Sequence, residues 1–249
     1  MKATVLSLRE ISKSFGALRV AEALSLEVLA AETHAIIGPN GAGKTSLINQ
    51  ISGALAPDAG RILFEGRDVT NLSMAARAHL GFARSFQITQ VLQRFSALEN
   101  VALAVQARTG SSFRFWRPAA AEAALNEAAM QCLGLVEMAA RAHVLAGSLS
   151  HGEKRRLEIA IALAQAPKLL LLDEPMAGAG VAETRGLIDM LKSLKGRFSI
   201  VLVEHDMEAV FALADRVSVL VAGCIIATGD PSAVRANPAV RAAYIGEAA

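Results

Sequence analysis

The sequence predicts an α/β fold built on a parallel β-sheet, with antiparallel strands near the N-terminus and an inserted group of helices. The run Leu169–Leu172 is so uniformly apolar that it indicates a strand buried on both faces, as parallel strands are. A second apolar run, residues 33–37, leads into a glycine-rich loop and then a helical pattern. Residues 60–69 form a strand bracketed by glycines, which is typical of an antiparallel pair. From Ser96 to about Ala146, alanine-rich helical patterns predominate.

Length and composition narrow the class of protein. The chain has 249 residues, which fits one large α/β domain or one domain with an inserted subdomain. Hydrophobic residues make up 53% of it, and the net charge is +2 with acids and bases interspersed. The sequence has no stripe of basic residues, so a nucleic-acid partner is not predicted. The first apolar stretch carries charges, so no secretion signal is predicted, and no run of about 18 apolar residues predicts a membrane span.

The first part of the chain is predicted to consist mostly of short strands, with one helix after the glycine-rich loop. The predicted strands are residues 4–8, 23–28, 33–38, 60–69 and 82–87, and the predicted helices are residues 47–53 and 73–80.

Beyond residue 96, helical patterns come first and strands return later. The two helices of the insert are predicted at 99–108 and 121–135, and the loop 110–118 between them contains the only tryptophan. After the insert we expect helices at 152–165 and 182–195, strands at 169–172 and 199–204, a hairpin over 215–229 that turns at Ala222–Gly223, and a helical tail.

The glycine-rich loop fits the phosphate-binding pattern G-x-x-x-x-G-K-[ST]. Its glycines allow backbone N–H groups to point inward and form a nest for phosphate oxygens. Lys44 adds a point charge for the β- and γ-phosphates, and Thr45 offers a hydroxyl to Mg²⁺. An inert glycine-rich turn is the alternative, but the order strand, loop, helix favours a P-loop NTPase core whose helix directs its positive end at the anion. The predicted phosphate-binding residues are Gly38, Pro39, Asn40, Gly41, Ala42, Gly43, Lys44, Thr45 and Ser46.

Two acids follow the most apolar strand, where strand ends line the crevice of a parallel sheet. Asp173 is predicted to hold Mg²⁺ through water, the usual task of the acid at this position in such hydrolases. Glu174 is predicted to polarise the attacking water as general base. A turn or capping acid pair before Pro175 is the alternative, and the phosphate-binding loop upstream favours the catalytic interpretation.

The string Leu149-Ser150-His151-Gly152-Glu153, placed before an apolar helix, resembles the signature of the ATP-binding cassette family, usually written LSGGQ. The resemblance covers essentially the whole chain, with every motif in the family's order. The same residues also form the capping-box pattern S-x-x-E, which by itself stabilises a helix by roughly 1 kcal/mol. Both interpretations can hold, because a capped helix N-terminus is itself an anion site.

The resemblance implies roles for further residues. Phe15 would stack on adenine, Gln87 would bind Mg²⁺ and sense the membrane domain, and His205 would contact the γ-phosphate. Each has an alternative: Phe15 as core, Gln87 as a polar strand end, and His205 as a structural histidine. The signature residues would meet the γ-phosphate held by the opposite subunit of a head-to-tail dimer; they are Ser150, His151, Gly152 and Glu153.

The resemblance also implies the organisation of the whole protein. Residues 1–249 would form a single nucleotide-binding domain with a helical subdomain inserted at about 88–160. ATP and Mg²⁺ are the expected cofactors. The expected partners are membrane permease subunits, a second ATPase subunit (identical or paralogous) and, indirectly, an extracytoplasmic solute-binding protein, with no nucleic acid. The expected place is peripheral, at the cytoplasmic face of the inner or plasma membrane. The insert and the tail resemble the uptake ATPases for branched-chain and other hydrophobic amino acids.

Other functions remain open on the sequence. They are an ATPase for lipid or polysaccharide export, a soluble cassette ATPase acting on nucleic acid or ribosomes, and a subunit that binds ATP without hydrolysing it. Three positions depart from the family pattern: His151 replaces a glycine, Glu153 a glutamine and Gly180 an aspartate. Cys132 and Cys224 have no metal or redox spacing and are predicted to be buried thiols in a reducing compartment.

Overall fold

The structure is a computed structural model that describes residues 2–85, 91–109 and 123–245. Gln87 and the predicted loop 110–118 lie outside the described residues. The strands are β1 Thr4–Phe15, β2 Leu18–Leu29, β3 Thr33–Ile37, β4 Ala59–Phe64, β5 Arg67–Asp68, β6 Phe82–Arg84, β7 Leu169–Asp173, β8 Ser199–Val203, β9 Arg216–Val221 and β10 Cys224–Gly229. The helices are α1 Lys44–Ser52, α2 Met74–Leu80, α3 Ala97–Thr109, α4 Ala123–Leu135, α5 His151–Ala164, α6 Val181–Leu194, α7 Met207–Leu213, α8 Pro231–Ala236 and α9 Pro238–Ile245.

The larger sheet has six strands in the order β10-β9-β3-β8-β7-β6. Every pair from β9 to β6 is parallel, and β10 closes the edge as an antiparallel hairpin with β9. All residues of β3, β7 and β8 are buried. The predicted parallel sheet is thus confirmed, and the hairpin turns at Ala222–Gly223 as predicted.

The apolar run of β7 is continuous because both faces of the larger sheet are covered. Leu169 and Leu171 pack into the core on one face, while Leu170 and Leu172 pack into the core on the other. All four side chains are fully buried, and each contributes roughly 1.5–3 kcal/mol of hydrophobic stabilisation. The strand therefore lacks the alternation that a strand with one solvated face would have.

The smaller sheet is antiparallel, in the order β2-β1-β4-β5, as predicted for the N-terminal region. One prediction is wrong in detail: residues 60–69 form two strands rather than one. The chain reverses between β4 and β5 at Glu65 and Gly66, which both have positive φ. Two successive left-handed residues make the type of turn that joins antiparallel strands with their natural twist.

Helices α3, α4 and α5 pack against one another. They share one core cluster with the face of the larger sheet that carries Leu170 and Leu172. The predicted helices of the insert are therefore present, with α3 ending at Thr109 and α4 described from Ala123. Strand β6 is Phe82–Arg84, and residues 86–87 of the predicted strand lie outside the described residues. None of the helices within the described ranges combines the length and the apolar character that a membrane crossing requires.

The two cysteines are free thiols, but the prediction that they are buried is wrong. Cys132 and Cys224 are each partly exposed. Partial burial raises the pKa of the Cys132 thiol above its usual value. A raised pKa lowers the thiolate fraction and hence the reactivity of that side chain.

Candidate nucleotide site

The phosphate-binding loop lies between β3 and α1, and two of its glycines are required by close backbone contacts. A Cβ at Gly43 would lie 2.2 Å from the carbonyl oxygen of Val20, and φ there is +104°. A Cβ at Gly38 would lie 2.0 Å from the carbonyl oxygen of Leu220. Strands β2 and β9 therefore hold the loop against the sheet, and any larger residue would push it out of place.

The lysine of the loop is folded inward. Lys44 Nζ donates hydrogen bonds to the carbonyl oxygens of Gly38 at 2.5 Å and Pro39 at 2.9 Å, and the residue is buried. Asn40, Gly41 and Thr45 are exposed on the outer side of the loop. Helix α1 begins without a side-chain cap and without an acid in its first turn. The loop therefore has a positive helix end and a held ammonium group next to an accessible surface, which suits an anion.

Asp173 lies at the end of β7 and is almost fully buried. Its Oδ2 accepts a hydrogen bond from Arg84 Nη2 at 3.0 Å, and its side chain is 1% exposed. Burial raises the pKa of the Asp173 carboxyl, while the positive charges of Arg84 and Lys44 oppose that shift.

The structure brings the predicted general base and the predicted histidine to the same place. His205 Nδ1 lies 3.9 Å from Glu174 Oε1, and the His205 side chain is 62% exposed. The backbone of Glu174 has φ +47°, a left-handed conformation that costs energy for a residue other than glycine. Its N–H donates to the carbonyl oxygen of Val203 at 2.9 Å, which ties it to the end of β8.

Glu204 was not predicted from the sequence, yet it links the backbone of His205 to that of Met176, two residues beyond Glu174. Its Oε1 accepts from the N–H of Met176 at 2.9 Å, and its Oε2 accepts from the N–H of His205 at 3.1 Å. The side chain is fully buried, and burial raises the pKa of its carboxyl. An acid directly after a buried apolar strand was the signal in the sequence, because a carboxylate at such a place needs partners.

The signature string starts α5 as a capping box, as predicted. Ser150 Oγ accepts from the N–H of Glu153 at 3.2 Å, and Glu153 Oε2 accepts from the N–H of Ser150 at 2.8 Å. Arg141 Nε lies 2.8 Å from Glu153 Oε1. A further acid, Glu183 on α6, accepts from the N–H of Gly152 at 3.3 Å and lies 3.4 Å from Ser150 Oγ. These contacts join the start of α5 to the start of α6.

The predicted adenine-stacking residue, Phe15, is exposed at the surface. Phe15 ends β1 with 51% of its surface exposed, so the alternative that it is a core residue is not supported. Lys13 Nζ lies 5.6 Å from the centre of its ring. Gln87 lies outside the described residues. The signature residues contact Arg141 and Glu183. The phosphate-binding loop instead approaches β2 and β9. Within one chain, the signature and the phosphate-binding loop therefore contact different elements.

A groove lies between α2, β6 and α5. Its volume is about 390 Å³, and its walls are mostly apolar. Met74, Phe82, Val91 and Ile161 form part of these walls, and Arg84 lines the groove as well. An accessible apolar groove of this kind is suited to an apolar segment of another protein.

Comparison with known proteins supports the resemblance. A family model described as ABC transporter matches residues 21–177, more than half of the chain. The chain belongs to the ABC transporter family. It is an ATP-binding cassette ATPase. A second family model, described as branched-chain amino acid ATP-binding cassette transporter, matches residues 224–249.

Curated cassettes match over their whole length. The high-affinity branched-chain amino acid transport ATP-binding protein LivG of Escherichia coli (strain K12) is 36% identical over 262 residues, with all of both chains covered. BraF of Pseudomonas aeruginosa, which has the same description, is 33% identical, again with all of both chains covered. Both are described as ATP-binding proteins of branched-chain amino acid transport.

Solved cassettes share the fold. A nucleotide-free ATP-binding cassette from an ABC transporter has a TM-score of 0.84 and 30% identity, covering 97% of this chain and 98% of that one. The ADP conformation of an ATP-binding cassette has a TM-score of 0.85 and 31% identity, covering 98% and 99%. The predicted α/β fold is therefore confirmed.

Proposed function

We propose that this chain is the ATP-hydrolysing subunit of a membrane importer for branched-chain or other hydrophobic amino acids. The observation that carries the proposal is similarity over full length to LivG and BraF, together with the match of residues 224–249 to the branched-chain amino acid family. That match favours import over lipid or polysaccharide export and over a soluble cassette. The choice of solute belongs to other subunits.

In this proposal the nucleotide lies along the outer side of the phosphate-binding loop. Phe15 is exposed and provides an aromatic face for adenine, worth roughly 1–3 kcal/mol for a base stacked on an aromatic ring. The N–H groups of the loop and of the first turn of α1 point at the phosphates. Lys44 already lies inside the loop and exchanges a contact with loop carbonyls for one with the β- and γ-phosphates.

The donor set at this place fits Mg²⁺. Thr45 provides a hydroxyl and Asp173 a carboxylate, and hard oxygen ligands are what Mg²⁺ prefers. Across residues 2–85, 91–109 and 123–245 no group of three His, Cys, Asp or Glu side chains could hold a metal alone. The ion would be shared between these residues, the phosphates and water, and it would neutralise charge on the phosphates. Gln87 is a further proposed ligand.

For hydrolysis, Glu174 acts as general base and His205 contacts the γ-phosphate. The 3.9 Å between His205 Nδ1 and Glu174 Oε1 supports placing both side chains at the same γ-phosphate, with the attacking water on the Glu174 carboxylate. Glu204 fixes the backbone on both sides, at Met176 and at His205. Because its carboxylate is fully buried and bonded to both segments, neither segment moves without the other.

The site is completed by a second ATPase subunit. Ser150, His151, Gly152 and Glu153 of one subunit contact the γ-phosphate bound by the other. The start of α5 supports this role, because its Ser150 hydroxyl and Gly152 N–H already hold the carboxylate of Glu183. Donors that hold one anion in the single subunit are suited to a phosphate when the dimer closes.

The whole chain, residues 1–249, forms one nucleotide-binding domain in this proposal, with the helical subdomain inserted at about 88–160. The packing of α3, α4 and α5 on one another supports that division. A permease segment sits in the groove between α2, β6 and α5, and this contact keeps the chain at the cytoplasmic face of the membrane. An extracytoplasmic solute-binding protein acts only through the permease.

The substitution Glu174→Gln tests the assignment of hydrolysis. We expect ATP binding to persist and turnover to fall by about 10²–10⁴, the usual worth of a general base. The matched control is Glu127→Gln, which removes the same charge from an exposed position on α4. Phosphate release and ATP affinity are measured for both. Near-normal turnover of Glu174→Gln would refute the assignment, and leucine uptake by cells that carry only this variant tests the transport role.

A further inference from the structure

Arg84 connects the predicted Mg²⁺ ligand Asp173 to the helix of the phosphate-binding loop. Its Nη2 donates to Asp173 Oδ2 at 3.0 Å. Its Nη1 donates to Asn49 Oδ1 at 2.6 Å and contacts Ser52 Oγ at 3.3 Å. The Arg84 side chain is 12% exposed. One guanidinium group therefore holds β7 and α1 in a fixed relation from the end of β6.

The contacts on α1 lie on the helix face that carries Thr45. Asn49 is four positions and Ser52 seven positions beyond Thr45, and residues with these spacings share one face of an α-helix. Arg84 thus contacts the same face that presents the Thr45 hydroxyl. The planar guanidinium presents several donors in a rigid fork, so a fixed angle between its two sets of partners is imposed by its own geometry.

We propose that Arg84 is the positioning residue of the metal site, which sets the Asp173 carboxylate against the Thr45 hydroxyl. The proposal rests on the proposed function, in which Thr45, Gln87 and Asp173 hold Mg²⁺, Asp173 through water. Mg²⁺ demands nearly ideal octahedral geometry, so the relative placement of two ligands on different elements matters for its affinity. Partners of ligating carboxylates are typically worth 10–100-fold in metal affinity.

Arg84 also lines the groove between α2, β6 and α5. Its backbone neighbour Ser85 donates its N–H to the carbonyl oxygen of Leu171, two residues before Asp173. A segment seated in the groove would therefore bear on the residue that orients the Mg²⁺ ligand.

The experiment measures Mg²⁺ affinity rather than turnover. In the Glu174→Gln background, ATP affinity is first measured in EDTA, and Mg²⁺ is then titrated into the ATP complex by calorimetry. We expect Arg84→Gln to weaken Mg²⁺ binding by about 10–100-fold while Mg²⁺-free ATP affinity stays within about twofold. Arg84→Lys keeps the charge but loses the fork, so it should restore part of the affinity.

Arg155→Gln is the matched control. Arg155 Nη1 donates to Glu158 Oε2 at 3.0 Å, both side chains are buried, and Glu158 lines the same groove. We expect its Mg²⁺ affinity to equal that of the parent. Equal weakening in Arg84→Gln and Arg155→Gln would overturn the proposal, because the loss would then follow from removing any buried cation.

Further outcomes decide between the positioning role and the ligand assignment. A folded Arg84→Gln with parental Mg²⁺ affinity would overturn the positioning role, and if that variant does not fold, Arg84→Lys with parental affinity would do the same. Asp173→Asn separates this failure from that of the proposed function. If Asp173→Asn also keeps parental Mg²⁺ affinity, the ligand assignment itself is wrong. If only Asp173→Asn weakens binding, Asp173 is a ligand and Arg84 does not position it.

Discussion

Glu204 offers the sharpest test of how the catalytic end of the site is held together. Its two carboxylate oxygens accept from two different backbone N–H groups, those of Met176 and His205. In Glu204→Gln one oxygen becomes an NH₂ group, so one of the two N–H groups faces another donor. The Glu204 side chain is fully buried, so the new NH₂ group is shielded from solvent, while the N–H of His205 is only partly buried. The substitution therefore leaves one buried donor unsatisfied.

The expected loss of stability follows from this one unsatisfied donor. One unsatisfied buried donor costs about 1–3 kcal/mol. At roughly 2–4 °C per kcal/mol for a chain of this size, the melting temperature should fall by about 2–12 °C. Turnover should fall by up to about 10², because even a small displacement of catalytic groups has that effect. The affinity for ATP should change little, since the loop around Lys44 is untouched.

The pH dependence of stability provides a second, independent test of the role of Glu204. Burial raises the folded-state pKa of Glu204 above its ordinary value of 4.5, so the folded state binds this proton more tightly than the unfolded state does. The contribution of Glu204 to stability is therefore most favourable below about pH 4.5 and declines as pH rises through the folded-state pKa. Gln does not titrate. The stability of the parent relative to Glu204→Gln should decline as pH rises above about 4.5.

The assay is chemical denaturation from pH 4.5 to 8, with turnover and ATP affinity measured in parallel. Glu208→Gln is the control, since it removes the same charge from an exposed position on the neighbouring helix α7. If the free energy of unfolding of the parent, relative to that of Glu204→Gln, rises with pH, the argument that burial raises the pKa of Glu204 is refuted. Parental turnover in a folded Glu204→Gln would refute the argument that the bonds of Glu204 to Met176 and His205 keep the catalytic groups in place.

Two further substitutions test the two ends of the nucleotide site. Lys44→Ala should weaken ATP binding by about 10–100-fold, because charge-assisted hydrogen bonds to phosphate are worth about 1.5–3 kcal/mol; calorimetry with Lys192→Ala as control checks this, and an unchanged Kd would count against it. Ser150→Arg, made in the Glu174→Gln background, should bind ATP as a single subunit but fail to form the ATP-dependent dimer in size-exclusion chromatography. Ser150→Ala removes the cap of α5 without adding bulk and should still dimerise, and a dimer of Ser150→Arg would contradict the shared site.

Much of the candidate site could be predicted because its motifs are local. The phosphate-binding loop, the apolar run of β7 and the capping box of α5 each depend on residues within a few positions of one another. Backbone conformation and helix capping are decided over that same short range. The end of the apolar strand assigned roles to Asp173 and Glu174, and the resemblance added His205. The structure places Glu174 and His205 3.9 Å apart.

The amino-acid sequence by itself determined the order of the elements, the burial of the central strands and the identity of the chemistry-bearing loop. Only the tertiary structure decided which distant residues meet: Arg84 pairs with Asp173 across 89 positions, and Glu204 bonds Met176 across 28. It also revealed that residues 60–69 turn back on themselves. The physical reason is that periodicity reports which face of an element is buried, whereas a hydrogen bond between elements depends on how their faces pack.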